Sequence, residues 1–227
     1  MNLYLTKTPT FIQKLFPGFT WRMDTDEKVI YLTFDDGPVP EATPWVLEQL
    51  AAYKAKATFF CVGDNVRKNP ELFQRILDAG HTVGNHTMQH LDGWATENLP
   101  YYHDVRHAAL LTNSQLFRPP YGRLKPRQMQ FLQRHYQIVM WDVLSGDFDQ
   151  KLHPEECLQN VTENARPGSI VVFHDSIKAL PRLMSTLPLA LEFFSERGYS
   201  FAALHAEPIR MGVRKTEEAV LTRLRTA

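Results

Sequence analysis

The sequence predicts an α/β fold, a single domain built as a distorted (β/α)7-8 barrel of parallel strands. Runs rich in β-branched and aromatic residues alternate with amphipathic runs of helical period, the pattern of βαβ units around a parallel sheet. Seven such units can be counted. Five strand-like runs end in residues suited to chemistry, and ligands gather at the carboxyl ends of parallel strands. A length of 227 residues suits one domain, and 44% hydrophobic residues allow a sizeable core.

In chain order, Val29–Phe34 is the first strand, and Gly37-Pro38 turns the chain after it. Glu41–Tyr53 follows as an amphipathic helix, opened by Pro40 and Pro44, with Trp45, Val46, Leu50 and Tyr53 on its apolar stripe. Ala57–Val62 is a strand, Pro70–Ala79 a helix stopped by Gly80, and His81–Val83 a short strand. Asn98–Thr112 and Pro126–His135 read as helices around the apolar pair Leu116-Phe117. Strand Gln137–Trp141, helix Pro154–Ala165, turn Pro167-Gly168 and strand Ser169–Phe173 come next. A helix over Leu180–Arg197 is expected to break near Pro188 and end at Gly198, before a last strand Phe201–Leu204. The resulting organisation is an N-terminal extension (1–28), a catalytic domain (29–206) and a charged C-terminal tail (207–227), with a frayed helix over Met211–Ala227.

Composition narrows the function classes. The 25 basic and 25 acidic residues balance, so no cationic excess points to nucleic acid or an anionic membrane. A neutral partner such as a sugar fits. Cys61 and Cys157 are too few and too far apart for a disulfide framework and read as buried free thiols. No run approaches the ~20 apolar residues of a membrane span. The first residues lack the apolar core of a signal peptide, so the chain as written reads as cytoplasmic, or as exported if a leader was removed.

The chemistry sits in five patches. Asp35 and Asp36 end the first strand, and adjacent carboxylates repel and resist burial unless a cation or a reaction compensates them. Taken alone, Asp-Asp-Gly-Pro is also an ordinary solvated turn. His86 and His90 lie four apart, on one face if the segment is helical, a spacing that suits two nitrogen ligands on one divalent ion. The plainer alternative is one packed and one surface histidine. With a carboxylate they make a three-ligand set with open positions, the arrangement of a catalytic metal. Arg118-Pro119-Pro120-Tyr121-Gly122, the run from Trp141 through Asp147 to Phe148, and His174-Asp175 end three further apolar runs.

These patches resemble, in order, the motifs of the polysaccharide deacetylases of carbohydrate esterase family 4, the NodB-homology domain, over about Val29 to Leu204. The resemblance implies a barrel of this kind and a metal-dependent hydrolase. Such an enzyme removes N-acetyl groups from N-acetylglucosamine-containing glycans of chitooligosaccharide or peptidoglycan type and releases acetate. Its partner is the N-acetylated glycan; no nucleic acid or transmembrane segment is implied, and the oligomeric state is left open. The resemblance makes Asp36, His86 and His90 ligands of a divalent metal, Zn2+ first, with Co2+ or another divalent ion as substitutes. It makes Asp35 the general base, Arg118 the residue that holds it, Tyr121 the donor of an oxyanion-binding N–H, and His174 the general acid oriented by Asp147.

Two departures stand out: Leu144 where the family has Asp, and Phe148 where it has Trp. Phe148 and Val172 are expected to line the pocket for the acetyl methyl group. Asp142, Asp175 and the remaining histidines match no motif and read as structural. The same site on another C–N amide or cyclic imide is the alternative enzyme, and a non-catalytic carbohydrate-binding module is the alternative of another class.

Overall fold

The β-branched and aromatic run at Val29–Asp35 forms strand β2, and its alternation sets the two faces of the sheet. Ile30, Leu32 and Phe34 turn outward to meet Val46, Leu47 and Leu50 of helix α2 (Thr43–Ala52) and Leu183, Leu187, Leu191 and Phe194 of helix α8 (Leu180–Glu196). Phe34 stacks on Phe59 at 5.1 Å and on Phe173 at 6.0 Å, which ties three neighbouring strands into this cluster. The opposite face carries Tyr31, Thr33 and Asp35, and a smaller cluster of Phe60, Leu116, Val139, Ile170 and Leu204 lies on that side.

The computed structural model describes residues 4–206, so the C-terminal tail and the helix expected in it lie outside the described residues. The other strands are β1 (Phe19–Thr20), β3 (Thr58–Cys61), β4 (Thr82–Asn85), β5 (Leu116–Phe117), β6 (Gln137–Val139), β7 (Val143–Leu144), β8 (Ile170–His174) and β9 (Ser200–Phe201). All pair in parallel, in the order β1-β6-β5-β4-β3-β2-β8-β7, with β9 added to β2. Helices α1 (Thr10–Leu15), α3 (Gly63–Lys68), α4 (Pro70–Asp78), α5 (Asn98–Thr112), α6 (Pro126–Leu132) and α7 (Pro154–Thr162) fill the connections. Among the described residues no helix is long and apolar enough to cross a membrane.

The barrel is open between β1 and β7, the two ends of the strand order, and this is its distortion. Residues 6–8 lie along the free edge of β7: Leu144 N–H donates to the Thr6 carbonyl at 2.8 Å, and Thr8 N–H to the Asp142 carbonyl at 2.9 Å. Lys7 bridges Val143 in antiparallel sense. Strand β1 meanwhile pairs with β6, so the stretch ahead of residue 29 is built into the sheet.

Three local expectations need correction. Helix α8 runs unbroken through Pro188, because Leu187, Ala190 and Leu191 around it are buried against the sheet and their packing outweighs one lost N–H bond. Helix α3 was not anticipated. The stretch from His86 to His90 is a loop rather than a helix, with Thr87 and His90 at positive φ (63° and 54°).

The register aligns the strand ends. Asp35 lies opposite both Phe60 and His174, Cys61 opposite Asn85, and Asn85 opposite Phe117. The residues next in sequence, Asp36, His86 and Arg118, therefore leave the sheet at one rim beside His174.

Candidate active site

Asp35 ends β2 on the inner face and is almost wholly buried, as is its partner Arg118, which follows β5. Arg118 Nη1 donates to Asp35 Oδ1 at 2.7 Å and to Thr33 Oγ1 at 2.8 Å. Its Nε and Nη2 donate to the carbonyls of Val139 and Met140 at 3.1 and 2.9 Å. A buried charge pair is retained only where its remaining donors are satisfied, and here four acceptors surround the guanidinium. Burial pulls the Arg118 pKa down, and Asp35 opposes that pull. The guanidinium lies over the Phe60 ring at 4.1 Å. Gly84 makes room for that ring, since a Cβ there would fall 2.4 Å from Phe60 Cδ1. Asp35 Oδ1 is thus fixed by the guanidinium.

Asp36 points the other way. Its backbone sits at φ 83°, a conformation costly for a non-glycine residue, and its carbonyl accepts from Asn65 Nδ2 at 2.7 Å. Its Oδ1 lies 3.1 Å from His90 Nε2 and 3.8 Å from His86 Nε2. Neither contact has hydrogen-bond geometry, so a buried carboxylate oxygen is left without a hydrogen-bond partner. His86 Nδ1 is 2.8 Å from the Arg118 carbonyl. A carbonyl only accepts, so Nδ1 carries the hydrogen and Nε2 keeps its lone pair for a ligand. The three donor atoms lie within 4.8 Å of one another. Burial pushes His86 down to about 4, so it is neutral. Burial opposes ionisation of Asp36, but His90, His174 and His86 outweigh it and hold the carboxyl well below its usual range. Two imidazole nitrogens and an ionised carboxylate around an orphaned oxygen fit a divalent cation.

The histidines meet without a helix because their loop is tied down. Thr87 N–H donates to Asn85 Oδ1 at 2.8 Å, Leu91 N–H to Thr87 Oγ1 at 3.1 Å, and Met88 and Gln89 N–H both to Asp104 Oδ2.

His174 closes β8. Its Nδ1 is 2.7 Å from Asp147 Oδ1, and its backbone N–H donates to Asp147 Oδ2 at 2.8 Å, so one buried carboxylate fixes both ring and main chain. Burial lowers the His174 pKa, but Asp147, with Asp36 and Asp35 behind it, reverses this and lifts it to about 9. The ring is therefore an acid at neutral pH, with Nε2 the nitrogen not engaged by Asp147. Phe148 stands edge-on to it at 5.1 Å, and Val172 lies one inward-facing residue beneath it on β8.

Tyr121 occupies a tight turn at φ 59°, held by Gly122 N–H to the Pro119 carbonyl at 3.0 Å and Arg123 N–H to the Pro120 carbonyl at 3.2 Å. Its exposed ring meets His90 edge-on at 4.8 Å. Gly122, at φ 67°, has to be glycine, because a Cβ would lie 2.7 Å from Trp141 Cη2.

Three supporting residues escaped the sequence reading. Asp175, read there only as structural, accepts from Gly37 N–H at 3.1 Å and from the Thr43 hydroxyl, and so braces the turn after Asp36. Asn65 holds the Asp36 carbonyl from α3. Arg182, buried on α8, donates to the Asp147 carbonyl at 2.6 Å. No spacing in the sequence signals any of these. Asp142 pairs with Lys7 and Ser169 behind the sheet, in the structural role expected of it.

The polysaccharide deacetylase family model matches residues 22–137. A peptidoglycan-N-acetylglucosamine deacetylase of Bacillus cereus is 34% identical over 192 residues, covering 82% of this chain and 90% of the relative. A chitooligosaccharide deacetylase of Azorhizobium caulinodans is 33% identical over 166 residues, covering 70% and 79% respectively. The crystal structure of the Bc1960 peptidoglycan N-acetylglucosamine deacetylase, in complex with a hydroxamate-type benzamide, superimposes with a TM-score of 0.80. It is 28% identical and covers 87% of this chain and 95% of that one. On the family match, the relatives and the fold together, the chain belongs to the polysaccharide deacetylases of carbohydrate esterase family 4 and is an N-deacetylating hydrolase.

Proposed function

We propose that the protein hydrolyses the acetamide of N-acetylglucosamine residues in glycans of peptidoglycan or chitooligosaccharide type, with Asp35 as base and His174 as acid. The division of labour between the two adjacent carboxylates carries the proposal: Asp36 faces two imidazoles, while Asp35 faces Arg118. Asp36, His86 and His90 would hold the metal, Zn2+ being favoured by two nitrogen donors and one oxygen. Such an ion supplies Lewis acidity at the amide carbonyl and lowers the pKa of water toward ~7.

The protein's own groups do the rest. Asp35 Oδ2 takes the proton of the attacking water, while Oδ1 stays fixed on Arg118. The Tyr121 N–H, presented by its left-handed turn, stabilises the negative oxygen of the tetrahedral state. His174 Nε2 gives its proton to the departing amine, and Asp147 stabilises the imidazolium until it does. Phe148 and Val172 contact the acetyl methyl group and keep water from it.

Acetate release measured across N-acetylated chitooligosaccharides and peptidoglycan glycan strands, with metal-replete protein, tests the proposal. Acetate from N-acetylglucosamine polymers is the expected result. Ring-opening of a cyclic imide without acetate release from any glycan would overturn it.

A further inference from the structure

A second aromatic surface stands beside the metal ligands. Trp94 is 62% exposed and Tyr121 60%, large apolar areas to leave in water unless something covers them. Neither ring is loose. Trp94 Nε1 donates to the Leu124 carbonyl at 3.2 Å, and its backbone N–H donates to Asp92 Oδ1 at 2.9 Å. Arg123 lies between the two rings, 5.1 Å from the Trp94 ring and 5.6 Å from the Tyr121 ring, and Asp92 holds its Nη1 at 2.6 Å. Tyr121 in turn meets the His90 ring. An unbroken series of contacts thus leads from His90 through Tyr121 and Arg123 to Trp94. Even with Arg123 against it, the indole keeps most of its surface in solvent.

A rigid, preformed aromatic face suits the apolar face of a pyranose ring, and pre-organisation removes most of the entropy cost of stacking. Trp94 lies beyond Tyr121 as seen from the metal ligands, so it is reached by a sugar next to the reacting one. We propose that Trp94, clamped by Arg123 and Asp92, is the stacking platform for a neighbouring glycan residue, so that oligomers are bound better than the monosaccharide. This rests on the glycan-deacetylase reading above and adds a specificity residue to it.

The test compares kcat/KM for N-acetylglucosamine and its β-linked tetramer in wild type, Trp94→Ala and Trp94→Phe. In Trp94→Ala the tetramer-to-monomer ratio should fall on the order of tenfold, mainly through KM, and Trp94→Phe should recover most of it. An unchanged ratio in an active Trp94→Ala protein overturns the proposal. A second arm needs no turnover: the tetramer should quench tryptophan fluorescence in wild type and lose that effect in Trp94→Phe. Should wild type release no acetate from any glycan, the function proposed above fails, and the fluorescence arm still decides for or against Trp94.

Discussion

Asp147→Asn isolates the claim that His174 works as a protonated acid. Asn keeps the size of the side chain and an oxygen to accept the Nδ1 hydrogen, and the Asp147 carbonyl that Arg182 holds is unaffected. What disappears is the charge that outweighs burial and lifts His174 from 6.5 to about 9, together with one acceptor, because the amide NH2 cannot accept from the His174 backbone N–H as Oδ2 does. Asp36 and Asp35 also favour the imidazolium but rank behind Asp147, so burial should then return the ring to its ordinary range or below. At about pH 8, a group titrating near 9 is ~90% protonated, and one near 6.5 only ~3%. On that claim the acid form is the working form, so activity is lost as pH rises through the folded-state pKa. The alkaline limb of kcat/KM, followed by acetate release from about pH 6 to about pH 10, should move down by roughly two units in the variant. The sign for stability follows from the same pair. A raised histidine pKa stabilises fully below its unfolded value of 6.5, and that contribution is lost as pH rises through about 9, so the Tm gap between wild type and variant should narrow over that window. An alkaline limb that stays in place in the variant would refute the assignment of His174 as acid.

Three further outcomes are expected. Chelation should abolish activity and Zn2+ or Co2+ restore it, while His90→Ala should weaken metal binding, read by metal analysis after dialysis, without unfolding a chain whose core lies elsewhere. Asp35→Asn should retain the metal yet lower kcat by ~10²–10⁴, the usual worth of a general base; loss of metal instead would reverse the roles of the two aspartates. Phe148→Trp should destabilise by about 1–3 kcal/mol in urea denaturation, because Tyr4 already fills the space beside the ring. Wild-type stability with sharper discrimination of acetyl from propionyl substrates would show that the space was empty.

The parts of this molecule legible in its sequence are those set by local chemistry. β2 and β8 announce themselves as β-branched and aromatic runs, and α4 as an apolar stripe bounded by Pro70 and Gly80. Asp36, His86 and His90 were legible as a candidate ligand set, and the structure brings them together, but the helix that would have explained the histidine spacing is absent. Thr87 and His90 adopt left-handed backbone, which residue type does not signal when neither is glycine. The same holds for Asp36 and Tyr121. Strained backbone at several site residues indicates that the surrounding hydrogen bonds, rather than local preference, decide their conformation. Those bonds come from far away: Asn65 to Asp36, Asp104 to the histidine loop, Arg182 to Asp147. Partners so distant in sequence follow no periodicity, so the supporting residues became visible only in three dimensions.

Phe148 shows how a departure from a family pattern can be misjudged when it is read one position at a time. A phenyl ring where the family resemblance leads one to expect an indole suggests a loose acetyl pocket. In this chain, however, the Tyr4 ring leans on Phe148 at 5.0 Å, and its hydroxyl donates to Asp149 Oδ2 at 3.0 Å. The ammonium of Lys178 lies over the Phe148 ring, 5.9 Å from its centroid, so the ring has a second neighbour besides Tyr4. Tyr4 arrives there because residues 6–8 run along the open edge of β7. The aromatic area missing at position 148 is thus supplied from the other end of the sequence, by the segment that covers the gap in the barrel. Leu144 belongs to the same adjustment: its backbone N–H donates to the Thr6 carbonyl of that segment, and its apolar side chain lines a cavity with Tyr4, Leu5, Trp141 and Tyr121, where an unpaired carboxylate would be poorly accommodated. The two departures and the N-terminal segment therefore form one structural solution, in which the wall behind His174 is assembled from both ends of the fold.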